Sequence, residues 1–184
     1  MKQENKFRLL IANRGEIARR IMRAAKQKNF TVAVLSTPED KNSLCQQEAD
    51  AILEVSSFLN AQSIVEVSKK WGAHLIHPGY GFLSENAEFA KLCEEAKLIF
   101  IGPTSENMKQ MGSKESSKKI AQQAGVPTLN ALLSTELKIK KPLEWKSVLE
   151  ERNIQAPYLV KASGGGGGRG MRIVEKFEDL QDRK

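Results

Sequence analysis

The residues best equipped for chemistry lie near the end of the 184-residue chain: Lys161, Gly164, Gly165, Gly166, Gly167, Gly168, Arg169, Gly170 and Arg172. A loop with so little side chain loses much backbone entropy on ordering. What glycine offers in return is close approach of main-chain N–H groups to an anion. Lys161, Arg169 and Arg172 add positive charge, so the chemistry indicated is polyphosphate binding. Lys161 stands in the apolar run Tyr158-Leu159-Val160-Lys161, where a charge needs a partner, and phosphate contact is its expected role.

The spacing of Gly165, Gly167 and Gly170 fits G-x-G-x-x-G, but a dinucleotide site needs that motif to open a helix. Met171-Arg172-Ile173-Val174 reads as a strand, which predicts a hairpin flap. A Walker A loop is excluded, because Met171 and Arg172 stand where Lys and Ser/Thr are required. Glycine runs also serve as linkers, a reading the flanking apolar strands oppose.

Other candidates divide between structure and function. Lys114 opens a helix, where a lysine is ordinarily solvated. Tyr80, between Gly79 and Gly81, is placed either to meet a ligand or to pack. His77 before Pro78 is a site residue or a hydrogen-bonded turn residue, and His74 is expected at the surface. Glu16 and Glu85 are expected to act mainly at helix starts. Cys45 and Cys93 lack C-x-x-C spacing and read as reduced cytosolic thiols. With His74 and His77 they make no metal-ligand spacing.

These residues must be positioned by strands and helices in alternation. Apolar runs predict strands over 7–12, 31–36, 51–55, 73–77 and 98–101. Helical spacing falls between them, over 16–28, from an Asn60 cap to Trp71, and over 87–96. Residues 37–48 are polar and carry no clear element. Strand–helix alternation predicts an α/β fold with an open, doubly wound parallel sheet. Its ligands would lie beyond the carboxyl ends of the strands, where the loops 13–16, 77–86 and 102–104 share one rim. After Thr104 the character changes. Helices to Met111, from Lys114 to before Gly125, and near 145–152 precede the hairpin, with a domain boundary near 110–115.

Composition narrows the function. An apolar share of 40% and a charged share of 28% are ordinary for a globular protein, and no run approaches a membrane span. The polar N-terminus MKQENKF lacks a secretory core. A net charge of +7 raises nucleic acid. The excess sits mainly after residue 111, however, where 14 Lys/Arg face 9 Asp/Glu, and the 6% aromatics are not interleaved with it. Nucleic acid and membrane are therefore not expected partners.

Ile11-Ala12-Asn13-Arg14-Gly15-Glu16-Ile17-Ala18, the stretch from His77 to Phe89 (HPGYGFLSENAEF), Phe100-Ile101-Gly102-Pro103, Met111-Gly112-Ser113-Lys114 and Lys161 to Met171 (KASGGGGGRGM) together resemble the biotin carboxylase family. Its members are enzymes or domains of acetyl-, propionyl- and pyruvate-type carboxylases, the first of which serve fatty acid biosynthesis. The resemblance covers residues 7–184. It implies a preATP-grasp domain over 1–112 and the truncated start of an ATP-grasp domain over 113–184. It makes Lys114, Lys161 and the flap Gly164, Gly165, Gly166, Gly167, Gly168, Arg169, Gly170 ATP contacts, and places Tyr80 and Gly81 near the biotin and bicarbonate end. The implied reaction is a ligase step: bicarbonate attacks the γ-phosphate of ATP, and carboxyphosphate then carboxylates N1' of carrier-bound biotin. Mg2+ and biotin are implied cofactors. Implied partners are the rest of a carboxylase, a biotin carboxyl carrier and a second copy in a homodimer.

Ser113 replaces the family's usual Asp, and residues 37–50 lack its Asp-Arg-Asp and following His. No catalytic or metal residue of the family falls within this chain, because those positions would follow Lys184. The chain is therefore expected to be inactive alone. The alternatives are a non-catalytic or degenerate partner-binding module and a fragment of another ATP-grasp ligase.

Overall fold

A computed structural model of the protein describes residues 7–133, 142–161 and 170–180, apart from the side chains of Lys114, Pro142 and Leu143. The chain divides into two units, Met1–Lys109 and Gln110–Lys184.

The first unit is built on five parallel strands: β1 (Arg8–Ile11), β2 (Thr31–Ser36), β3 (Ala51–Glu54), β4 (Leu75–His77) and β5 (Ile99–Phe100), in the order β3-β2-β1-β4-β5. Parallel neighbours need long crossovers, which the helices supply. These are α1 (Gly15–Gln27), α2 (Leu44–Glu48), α3 (Ala61–Trp71) and α4 (Ala87–Glu95), with α5 (Ser105–Met111) after β5. Successive strand residues point to opposite faces. Leu10, Ala33, Leu35 and Ile76 pack with Ile64, Val65, Phe89 and Cys93 of α3 and α4. Leu9, Ile11, Val32 and Val34 pack with Ala18, Met22 and Ala25 of α1 and Cys45 of α2. With both faces covered, the strands read as unbroken apolar runs.

Local signals set the helix ends. Asn60 Oδ1 accepts from Ser63 N at 3.0 Å, and Gly72 closes α3 in the left-handed region at φ 76°. Asn86 Oδ1 accepts from Phe89 N at 2.8 Å, so the residue after Glu85 caps α4. Glu85 is exposed and the capping role expected of it is corrected. Glu94 fastens α5 by accepting from Ser105 N (2.8 Å) and Oγ (2.6 Å). Those two bonds hold its carboxyl below the usual range.

The stretch 37–48 gains its structure from partners distant in sequence. Leu44–Glu48 forms a short helix because Cys45 seats in the core beneath α1. Above it Arg19 Nε donates to Glu48 Oε1 at 3.0 Å, and Lys26 pairs with Asp50 at 3.1 Å.

In the second unit, α6 (Lys114–Gln123) and α7 (Pro142–Glu151) precede β6 (Tyr158–Lys161) and β7 (Met171–Val174), an antiparallel pair. Ser113 caps α6, its Oγ accepting from Ser116 N at 3.3 Å. A hydroxyl thus does the capping work open to an Asp at this position. Among its described residues Val148, Leu149 and Val174 are the buried apolar ones.

Candidate functional site

Strand order reverses between β1 and β4, and ligands of open α/β sheets bind beyond the carboxyl ends at such a point. Ala12 N still pairs with His77 O at 2.9 Å, and there the strands part. Asn13 follows, only 3% exposed. Its Nδ2 donates to Pro78 O and Tyr80 O, both at 2.8 Å, and its Oδ1 accepts from Arg14 N at 2.9 Å. One amide thus fastens the second loop to the first with every hydrogen-bonding group it has. Sequence reasoning treated Asn13 only as a loop member. The available signal was a polar amide directly after an apolar strand at the switch point.

The clamp needs glycine opposite it. Gly79 has φ 68°, and a Cβ there would lie 2.5 Å from Asn13 Nδ2 and 2.9 Å from Ile17 Cγ2. Gly81 shares that φ but faces open space. Between them Tyr80 is 64% exposed, so it is presented outward and not packed. Its hydroxyl donates to Glu16 Oε1 at 3.3 Å, across to the first turn of α1. Phe82, at φ 41°, stacks on Phe58 with ring centroids 5.1 Å apart and anchors the far side of the loop. The result is a rigid loop base carrying an accessible phenol, with Arg14 beside Asp40 (3.5 Å) at the same strand ends.

His77 acts within this turn. Its Nδ1 accepts from Gly79 N at 3.0 Å, and burial lowers its pKa below the usual value. The unfolded chain therefore takes up the proton first as pH falls. The stability that neutral His77 confers is present above an unfolded pKa of about 6.5 and is lost as pH falls below it. Protonation would also remove the acceptor for Gly79 N. Urea midpoints of the parent should drop between about pH 7 and 5.5, and His77→Gln should flatten that slope. An equal slope in the variant would remove His77 as its cause. His74 is exposed as expected, its Nδ1 accepting from Arg8 N at 3.0 Å.

Neither thiol is built for chemistry. Cys45 and Cys93 are free and buried, and burial pushes the Cys93 thiol up to about 12, far from a reactive thiolate. Among the described residues no cluster of His, Cys, Asp and Glu could hold a metal ion, and no helix is long and apolar enough to cross a membrane.

In the second unit, Lys161 ends β6 directly opposite Met171, the first residue of β7. Gly170 turns at φ 76° into that strand. The glycine segment therefore joins two antiparallel strands and does not open a helix, as the flanking residues indicate. Gly164, Gly165, Gly166, Gly167, Gly168 and Arg169 lie outside the described residues. The expectation that Lys161 sits in an apolar setting is corrected. β6 and β7 form a two-stranded ribbon in which Leu159, Val160 and Lys161 are all exposed. An apolar sequence run cannot distinguish a ribbon from a covered sheet. Its ammonium is solvated and open to an incoming anion. Lys114 is the first residue of α6, its side chain outside the description.

Residues 5–108 match the biotin carboxylase N-terminal domain, and residues 109–183 the ATP-binding domain of the carbamoyl-phosphate synthase L chain. The chain is 48% identical to the methylcrotonoyl-CoA carboxylase subunit alpha of Dictyostelium discoideum, covering 95% of this chain and 25% of that protein. It is 40% identical to biotin carboxylase 1 of Bacillus subtilis, covering 94% of this chain and 39% of that one. The biotin carboxylase of Campylobacter jejuni, solved as a β-γ-ATP complex, superposes with a TM-score of 0.83 at 37% identity, over 95% of this chain and 40% of that one. The biotin carboxylase domain dimer of Hydrogenobacter thermophilus 2-oxoglutarate carboxylase, solved with MgADP, ADP and bicarbonate, does so at 0.82 and 39%, over 95% and 39%. The chain thus spans between a quarter and two fifths of these relatives. With a parallel sheet clamped at its switch point, a glycine hairpin after it, and more than half its length matching one domain family, the chain belongs to the biotin carboxylase family and carries its N-terminal domain with the start of the ATP-binding domain.

Proposed function

We propose that this chain is the N-terminal part of an ATP-dependent biotin carboxylase, with preATP-grasp residues 1–112 followed by ATP-grasp residues 113–184. The observation that carries this reading is the β6–β7 hairpin, which sets the Lys161 ammonium, exposed, at the root of the glycine segment. Lys161, with Lys114, would neutralise the transferring phosphate, and the main-chain N–H groups of the flap from Gly164 to Gly170 would close over it. Bicarbonate oxygen attacks the γ-phosphorus and ADP leaves. Carboxyphosphate then gives its carboxyl group to N1' of biotin, and the N1' proton leaves with the released inorganic phosphate. A closed flap protects that labile intermediate from water. Tyr80 and Gly81 would face the biotin and bicarbonate end, where Glu16 steadies the phenol. Mg2+ would help neutralise the charge of the transferring phosphate, and the described residues are assigned no part in holding it.

Turnover is proposed to require the remainder of a carboxylase, with a biotin carboxyl carrier as acceptor and a homodimer as its assembly. Methylcrotonoyl-CoA and pyruvate carboxylases stand among the relatives, so the acceptor is not narrowed to fatty acid biosynthesis. Free buried thiols support a reducing compartment, the cytoplasm or, as for the mitochondrial relatives, an organelle matrix.

The test joins residues 1–184 to the part of Bacillus subtilis biotin carboxylase 1 that follows the matched region. Bicarbonate-dependent ADP release, stimulated by free biotin, is expected from the chimera and not from the 184-residue chain. A folded chimera that cleaves no ATP would overturn the proposal.

A further inference from the structure

The first unit holds a cleft of about 340 Å³ at the carboxyl ends of β2 and β3, lined by Ser36, Thr37, Lys41, Glu54, Ser56 and Ser63. The fold sets its walls. Ser36 and Glu54 end neighbouring strands in register, and Val55 N donates to Ser36 O at 2.9 Å. A turn in which Asp40 N donates to Thr37 O at 3.1 Å carries the chain on to Lys41. Ser63 stands in the first turn of α3, its N–H held by the Asn60 cap.

Two independent observations point to a ligand. Ser36 and Thr37 are only 5% and 6% exposed, yet neither hydroxyl has a hydrogen-bond partner among the described residues. Buried hydroxyls are ordinarily paired. Neither oxygen is sealed from solvent, so a bound molecule can reach both. The second observation is charge. Lys41 and Glu54 line the same space, and among the described residues neither has an ion-pair partner. Opposite charges that share a cleft without meeting complement a molecule that carries both signs itself.

We propose that this cleft binds a free α-amino acid. The ligand carboxylate faces the Lys41 ammonium and accepts from the serine and threonine hydroxyls, while the ligand ammonium donates to the Glu54 carboxylate. The first turn of α3, where Ser63 lies, favours the negative end of such a molecule. Pro38 and Val55 also line the cleft and give the ligand's side chain apolar contact. The volume lies within the roughly 300–1,000 Å³ range of small-molecule sites. A simple anion would meet Glu54 and a simple cation Lys41, so each is selected against. This proposal rests on the first unit alone and not on the carboxylation chemistry, so a chimera that cleaves no ATP would leave it standing.

The 184-residue chain, labelled with 15N, is titrated with L-serine and, in a second arm, with L-valine, and its amide spectrum is followed. Saturable shifts centred on residues 36–41 and 54–63 are expected in at least one arm. Matched analogues lacking the amino or the carboxyl group, such as 3-hydroxypropanoate and ethanolamine for serine, should bind at least about tenfold more weakly. Lys41→Ala and Glu54→Gln should each weaken binding about tenfold or more. Both side chains are exposed, so these variants should fold, which circular dichroism checks. Thr37→Val, which keeps the shape and removes the hydroxyl, should weaken binding severalfold. Absence of saturable binding in both arms overturns the proposal. So does equal affinity for an analogue carrying one charge, or affinity unchanged in either charge variant.

Discussion

Gly79→Ala is expected to destabilise the first unit by about 3 kcal/mol, and Gly81→Ala by only about 1–2 kcal/mol, though the two glycines share one backbone conformation. A left-handed φ costs any L side chain about 1–2 kcal/mol, and both variants meet that cost. At Gly79 a methyl group would also stand 2.5 Å from Asn13 Nδ2 and 2.8 Å from its Cγ. The amide cannot move aside without releasing Pro78 O and Tyr80 O, and buried polar groups left unpaired cost about 1–3 kcal/mol. Urea unfolding monitored by circular dichroism reads the difference. Equal losses at the two positions would show that the amide yields freely and that the clamp contributes little.

The largest effect on turnover is expected at Lys161. In the chimera, Lys161→Ala should lower kcat roughly 100- to 1000-fold, about 3–4 kcal/mol of barrier. A cation acting on the transferring phosphate counts most when negative charge shifts in the transition state. Because Lys161 is solvent-exposed and bears no packing load, the substitution should leave the unfolding midpoint nearly unchanged. Lys161→Arg keeps the charge and should recover part of the rate. An alanine variant within threefold of the parent kcat would show that the phosphate lies elsewhere.

Most of the first unit was legible because its physics is local. Strands covered on both faces must be apolar throughout, and FRLLIA and TVAVLS are. The Asn60 cap was equally plain. The short helix Leu44–Glu48 was not, since five residues with polar composition form a helix only because Cys45 finds a pocket beneath α1. Asn13 escaped for a related reason: its meaning depends on carbonyls 65 and 67 residues away. At the hairpin the strand pairing was readable but the burial was not. The run YLVK carries no mark saying whether a second layer covers it, and so Lys161 was expected in an apolar setting that the ribbon does not provide.

That ribbon has a practical consequence. Among the described residues it has two strands only, and Leu159, Val160 and Ile173 on them are 53%, 42% and 66% exposed. Edge strands next to exposed aliphatic side chains invite any other extended polypeptide to add on, another copy included. The colloidal behaviour of the isolated chain is then a contest between this stickiness and the mutual repulsion of molecules carrying +7. Low ionic strength favours dispersal, and concentrated salt favours precipitation.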